Sequence, residues 1–480
     1  VETVLLYILG ILIIVIGLAL SIGLHEIGHL VPAKLFGVKV TQYMVGFGKT
    51  LWSRKKGETE YGVKAIPLGG YIAMIGMFPP KGNEKARASS TGFLQSMSDD
   101  RPEILRRRGP APVAVDGPGE AEPAEETRRR LFDGLVQDAR DSSAETIGEG
   151  EDARSFYRLA VWKRIIVMLG GPAMNLILAF VFMAILVMGF GIAQPSTTVG
   201  VVNACVVPAG STATECDDSF AETPAAAAGL RPGDHLVSLG GTPLSAWDQT
   251  TEIIRTSPGK TLPLEIERAG EPMTLSITPL LTERYVYDKN GVQEKNPDGS
   301  FRTEEVGFIG MSPTNEAVRG GLSDVAPMVG NNVSAVFHMI INLPDRLVGV
   351  AKAAFGAGER DPNGPMSVVG VGRIAGELVS MDSVSVSDKA ATLVGLLGSL
   401  NVALFAFNLI PLMPLDGGHV VAAAWEGIRR FFAKLFGRPD PGPVDAAKLI
   451  PLTMVIALLL GGMTVLLIFA DLVNPIQLFK

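Results

Sequence analysis

The sequence predicts an α-helical integral membrane protein with four transmembrane helices and a β-rich domain outside the cytoplasm. Three observations carry this: four long apolar runs without charge, the gathering of charges, Gly and Pro between those runs, and an uneven spread of Lys and Arg at their flanks. At 480 residues, with 47% hydrophobic content and a positive mean hydropathy, the chain is too long and too apolar for one ordinary soluble domain. Its 42 Lys and Arg leave a net charge of -7 and form no basic stripe, which excludes nucleic acid as a partner.

The first run, residues 4–24, is long enough at about 1.5 Å per residue to cross roughly 30 Å of hydrocarbon. A cleavable leader would want a basic start and a small-residue cleavage site, whereas Glu2 precedes this run and His25-Glu26 follows it. Further runs cover residues 165–193, 391–415 and 449–470. Lys34, Lys39, Lys49, Arg158, Lys163 and Arg164 flank the segment between the first two spans. Arg429, Arg430, Lys434, Arg438 and Lys448 follow the third. The positive-inside bias then puts both termini and residues 194–390 outside, and the other two connections in the cytoplasm.

Residues 81–155 are rich in Arg, Glu, Pro, Gly and Ser and poor in aromatics. They read as a largely disordered cytoplasmic insertion, either a tolerated linker or a regulatory segment. Residues 196–284 read as short strands separated by Gly and Pro turns. Within them, Leu230-Arg231-Pro232-Gly233-Asp234-His235-Leu236-Val237 resembles the glycine-turn and strand signature of PDZ domains. Such domains add an extended chain to a sheet edge, or here only obstruct access to the membrane. In residues 285–390, Val333, Phe337, Ile340, Ile341, Leu347 and Val348 recur at helical spacing. This predicts an amphipathic helix, lying on the membrane or against the protein's own outer face. Cys205 and Cys216, the only two cysteines, both fall in the external segment and are expected to pair in an oxidising compartment.

The motif with the most chemistry is His25-Glu26-Ile27-Gly28-His29. Residues four apart share a helix face, so His25 and His29 can point at one cation while Glu26 handles a proton from water. Ionisable groups inside a membrane are costly and mark function. Lys34 lies nine residues on, so His25 sits roughly 13 Å along the helix from that charge, in the cytoplasmic half of the bilayer. A catalytic zinc takes three protein ligands and keeps one open position. Asp416, at the inner end of the third span, is the expected third ligand, with His419 as its nearest competitor.

His-Glu-x-x-His in the first span, together with Asn408-Leu409-Ile410-Pro411 through Leu415-Asp416-Gly417 after the third, resembles the site-2 protease family of intramembrane metalloproteases. The resemblance extends to Gly170-Gly171-Pro172-Ala173-Met174-Asn175 in the second span and to residues 46–71, which contain Gly69-Gly70-Tyr71. A single PDZ-like domain and Gly364-Pro365-Met366-Ser367 are similar to bacterial, particularly actinobacterial, members. It implies Zn2+ held by His25, His29 and Asp416, with Glu26 as general base. Asn408, Asn175, Gly69, Gly70 and Tyr71 would support the site or bind substrate, and residues 46–78 would form a membrane-associated β-hairpin. The implied domain order is a first span at 1–36, the hairpin, the 81–155 insertion, a second span at 163–193, the PDZ-like domain at 196–284, the 285–390 region, a third span with the third ligand at 391–420, and a fourth span at 449–470.

The implied reaction is hydrolysis within transmembrane segments of single-span bacterial membrane proteins, such as anti-sigma factors, after an upstream site-1-type protease has trimmed them. The lipid bilayer is the other partner. One alternative is a non-catalytic zinc-binding scaffold that uses its PDZ-like domain, against which a complete base and an open site argue. Another is a zinc transporter, against which stands the absence of ionisable residues from the second and fourth runs.

Overall fold

A computed structural model of the chain describes residues 2–77, 88–90, 151–207, 216, 220–286, 293–294, 296, 298, 300–356, 360–361, 364–444 and 449–476. Two compact units result: Val1–Gly189 with Gly321–Lys480, and Phe190–Gly320.

The first unit holds the long helices. Among the described residues, helix α1 (Glu2–Leu35), α2 (Val161–Ala184, prolonged by a wider π turn to Phe190), α7 (Val386–Asn408) and α9 (Ile450–Val473) are the single helices long and apolar enough to cross a membrane. In a bilayer, helices associate through close packing and polar links rather than water exclusion, and small residues allow the approach. Gly28 of α1 and Gly170 of α2 meet backbone to backbone, so that a Cβ on Gly28 would lie 2.2 Å from the Gly170 carbonyl oxygen. At the other end of α1, Gly10 touches Ala375 and Gly376 receives Tyr7, which seats the short helix α6 (Val368–Ser380) against α1. Polar links add to this. Arg164 of α2 pairs with Glu426 of α8 (Asp416–Leu435), and Arg360 reaches Asp471 of α9 at 2.8 Å, all four side chains being buried.

The third span departs from its expected bounds. The helix begins at Val386, stops at Asn408, and Asp416 opens the separate helix α8. Pro411 and Pro414 explain the stop, because proline lacks the amide hydrogen and disfavours helix in the residue before it. In the region after the β-rich domain, the expected amphipathic helix is two helices, α4 (Leu322–Ile341) and α5 (Leu343–Ala354), bent by 73°. Asn342 takes the break and Pro344 restarts the helix, a position where its missing N–H costs nothing.

The hairpin is longer than residues 46–78 suggested at its start, running as β1 (Val40–Lys56) and β2 (Thr59–Ile75) around Gly57. It curls on itself: Gln42, Tyr43, Met44 and Val45 lie beside 70–73 on one side and beside 60–63 on the other, while 52–56 pair with 59–63. Gly46 and Gly48, with φ of 95° and 81°, supply the bulges that let one strand turn. Leu30, Val40, Ile72, Met74, Val167 and Met168 form the core that joins α1, hairpin and α2.

Most of the 81–155 insertion lies outside the described residues. Of its described residues, β3 (Ala88–Ser90) adds to β2, and Glu151–Arg154 is a helical turn in which Arg154 holds Glu58 through two bonds of 2.7 Å. Docking onto the hairpin offsets the entropy cost that composition alone would leave uncompensated.

The second unit is β-rich and larger than residues 196–284. Strand β4 (Ile192–Val202) begins just past Gly191, so the second span ends at Phe190 and not at residue 193. Its sheet runs in the order β11-β4-β5-β7-β8, with β5 at His235–Leu239, β7 at Leu262–Arg268, β8 at Glu271–Ile277 and β11 at Met311–Val318. β6 (Thr242–Pro243) pairs with β5, and β9 (Leu280–Tyr285) pairs with β10 (Thr303–Phe308). Because β11 closes the sheet against β4, residues expected in the following region belong to this domain. Helix α3 (Trp247–Arg255) covers a core of Val199, Leu236, Leu239, Ile254, Leu264, Ile266 and Ile277. Cys205 and Cys216 form a disulfide with Cα atoms 5.9 Å apart.

Asp234, buried beside the Gly233 turn, accepts from Arg268 at 2.7 and 2.8 Å and from the Arg231 amide at 2.8 Å. The Arg268 bonds hold its carboxyl below the ordinary aspartate range. A carboxyl depressed on folding stabilises above its unfolded pKa of about 4 and loses that contribution as pH falls through the folded value. Asp234→Asn is therefore expected to speed hydrogen exchange in this unit at pH 7, with the gap from wild type shrinking below about pH 4. A gap independent of pH would refute the ionic contribution.

Candidate metal centre

Helix periodicity stacks His25 and His29 on one face of α1, and the Gly28–Gly170 contact brings α2 over them. Gly171 lies directly against the rings, where a Cβ would be 2.2 Å from His29 Nε2 and 2.7 Å from His25 Nε2. Asp416 arrives as the first residue of α8, behind the proline-broken loop. Gly417 and Gly418 leave room for that loop, as a Cβ on either would strike backbone of residues 409–413 at 2.4–2.7 Å.

The donor atoms converge. His25 Nε2 and His29 Nε2 are 3.2 Å apart, and Asp416 Oδ2 is 3.3 Å from each. His29 Nδ1–H donates to the Val167 carbonyl at 2.7 Å, which leaves Nε2 with its lone pair. The Asn175 amide nitrogen is placed 3.0 Å from His25 Nδ1, and its oxygen has no partner among the described residues. Turned so that this oxygen accepts from Nδ1–H, the amide frees Nε2 of His25 as well. Three lone-pair atoms then face one point in a buried setting, an arrangement that repels itself without a cation. Donors around a tetrahedral zinc at 2.0–2.1 Å are about 3.3 Å apart, so these residues fit that ion. His419, one turn along α8, does not join the group.

Glu26 flanks the three donors without being one of them. The Ile72 amide of β2 hydrogen-bonds its carboxylate, and its Oε2 is buried without a partner among the described residues. Gly70 lies so close that a Cβ there would be 3.0 Å from Glu26 Cγ. The Tyr43 hydroxyl donates to the Gly23 carbonyl at 2.8 Å, tying β1 to α1 one turn before the base.

Among the other expected residues, Gly69 has a φ of 144° and packs under the Phe47 ring, while Tyr71 is buried within the hairpin and bonds Gln42 at 3.3 Å. Neither reaches the donor cluster. Asn408 ends α7 half-buried and makes no hydrogen bond to the cluster. The asparagine that links α7 to α1 is Asn401, fully buried, donating to Ser21 at 3.0 Å one turn before His25. Sequence reading passed over Asn401, Ser21, Tyr43 and the role of Gly171. A polar pair inside two apolar runs was the available signal for the first two.

The chain matches peptidase family M50 over residues 13–437, which includes the α1 motif, hairpin, α2 and Asp416. It is 31% identical to "Zinc metalloprotease Rip1" of Mycobacterium tuberculosis, across 99% of this chain and 100% of that protein. It is 26% identical to "Metalloprotease MmpA" of Caulobacter vibrioides, covering 86% and 85% of the two chains. "Regulator of sigma-W protease RasP" of Bacillus subtilis is also 26% identical, covering 84% and 87%. The chain therefore belongs to peptidase family M50, the site-2 protease family of zinc metalloproteases.

Proposed function

We propose that this protein hydrolyses peptide bonds within the transmembrane segments of single-span bacterial membrane proteins, with His25, His29 and Asp416 as zinc ligands and Glu26 as general base. The convergence of three lone-pair donors, two of them on a helix apolar enough to span a membrane, beside a carboxylate oxygen with no partner among the described residues carries this reading. When bound there, zinc supplies Lewis-acid polarisation of the scissile carbonyl and makes water acidic enough to deprotonate near neutral pH. Glu26 accepts the proton of the attacking water and passes it to the leaving nitrogen. The Ile72 amide and the bare Gly70 backbone hold the Glu26 side chain in place. An unwound substrate strand would lie along the hairpin, held by main-chain hydrogen bonds.

The Lys and Arg bias supports both termini and the β-rich unit outside the plasma membrane, with the site in the cytoplasmic half of the bilayer. We read the β-rich unit as PDZ-like, capturing an extended segment or limiting access to proteins already trimmed by a site-1-type protease. Anti-sigma factors are substrates of this form.

The cut is expected in the cytoplasmic half of the substrate span. Gly, Asn or Pro near it should speed cleavage, since a helix hides its carbonyls in hydrogen bonds, and a leucine-rich replacement should slow it. Mass spectrometry of products from the purified reaction tests this. A cut mapped to the external half would refute it.

A further inference from the structure

Helix α8 carries Asp416 at one end and, among the described residues, an exposed apolar stripe along the rest. Trp425, Ile428, Phe431, Phe432, Leu435 and Phe436 are between 47% and 68% exposed. At 3.6 residues per turn they share a face roughly 140° wide. The opposite face is the one that packs: Glu426 is buried on Arg164, and a Cβ on Gly427 would lie 3.2 Å from Val161.

The chemistry of the exposed surface names its occupant. Asp416 and Glu426, the only acids of α8, are both buried, so what α8 shows outward is apolar or cationic. Arg429 and Lys434 flank the stripe and Arg438 follows it. Lys434 and Arg438 have no acidic partner among the described residues, whereas Arg430 is held by Glu426 and Asp440. An apolar stripe between cations that have no acidic partner among the described residues fits an anionic lipid surface.

The depth agrees. Asp416 meets histidines of a spanning helix, and Gly427 meets Val161, where α2 begins. Beside Val161, Trp162 is 56% exposed and Lys163 lies over the Phe36 and Trp162 rings at 5.3 and 5.5 Å, an aromatic and basic cluster typical of a membrane interface. The next turns, with Phe431, Phe432 and Leu435, therefore start at headgroup level. α8 is not apolar enough to cross. Projecting outward it would expose this stripe to water, and lying along the surface buries it.

We infer that α8 is a membrane-surface helix whose aromatic stripe inserts into the leaflet and whose cations bind anionic phospholipid headgroups, anchoring the helix that presents Asp416. The test uses the full chain in nanodiscs of phosphatidylcholine, with or without phosphatidylglycerol, and one nitroxide placed through Phe432→Cys or Leu435→Cys. Collisions with oxygen should exceed those with a water-soluble nickel chelate at both positions, and the excess should grow with phosphatidylglycerol. Lys434→Gln with Arg438→Gln should abolish that growth, each cation being worth about fivefold in local anionic-lipid preference. Unsubstituted chain gives a second readout: brominated phospholipids should quench more fluorescence in wild type than in Trp425→Phe. Greater nickel collision at both positions would place α8 in water, and low collision with both reagents would mean that protein, such as a second copy, covers it; either overturns the inference. Indifference to phosphatidylglycerol would overturn the headgroup part. No readout depends on peptidase activity, so failure here is separate from failure of the proposed function.

Discussion

Glu26→Gln is expected to bind zinc at wild-type stoichiometry and still capture a single-span substrate, while cleaving it at least about a hundredfold more slowly. Glu26 is outside the group of converging donors, so the ion loses no ligand. Glutamine keeps the shape and an oxygen for the Ile72 amide, and loses only the ability to take a proton. Shape matters here because Gly70 presses on the side chain and leaves little freedom to reorient. Elemental analysis and product mass spectrometry on the same preparation separate the effects. Near-normal turnover would remove Glu26 as base, and zinc loss would make it a ligand.

Zinc content should fall sharply in Asp416→Ala, which removes one of three donors, and nearly as far in Gly171→Ala, which removes none. The added methyl would sit 2.2 Å from His29 Nε2, inside any tolerable contact. Moving α2 away to admit it would open the close Gly28–Gly170 backbone packing that joins the two helices. The rings must turn, and His29 would surrender its bond to Val167. Gly189→Ala, with open space around the new Cβ, is the control and should leave zinc unchanged. Full zinc in Gly171→Ala would show that the rings are not confined as described. Unchanged zinc in Asp416→Ala would turn attention to His419.

The spans were legible because a bilayer tolerates few sequences. Their ends were less so: the third apolar run continues to residue 415, yet the helix stops at Asn408, because hydropathy does not register what Pro411 and Pro414 do to backbone geometry. β11 lies more than a hundred residues from its partner β4, and no local pattern announces that pairing. The supporting asparagine shows the same divide. Asn408 stands in a motif, yet Asn401 makes the contact to α1, because α7 turns that residue toward Ser21.

By itself the sequence determined two imidazoles and a carboxylate on one apolar helix, since covalent spacing and the helical period suffice to align residues four apart. Tertiary structure alone decided that Asp416 stands 3.3 Å from both rings, that Gly171 confines them, and that Ile72 and Gly70 hold Glu26. Those contacts join segments more than forty residues apart, and depend on helix crossings and strand register that no single segment encodes.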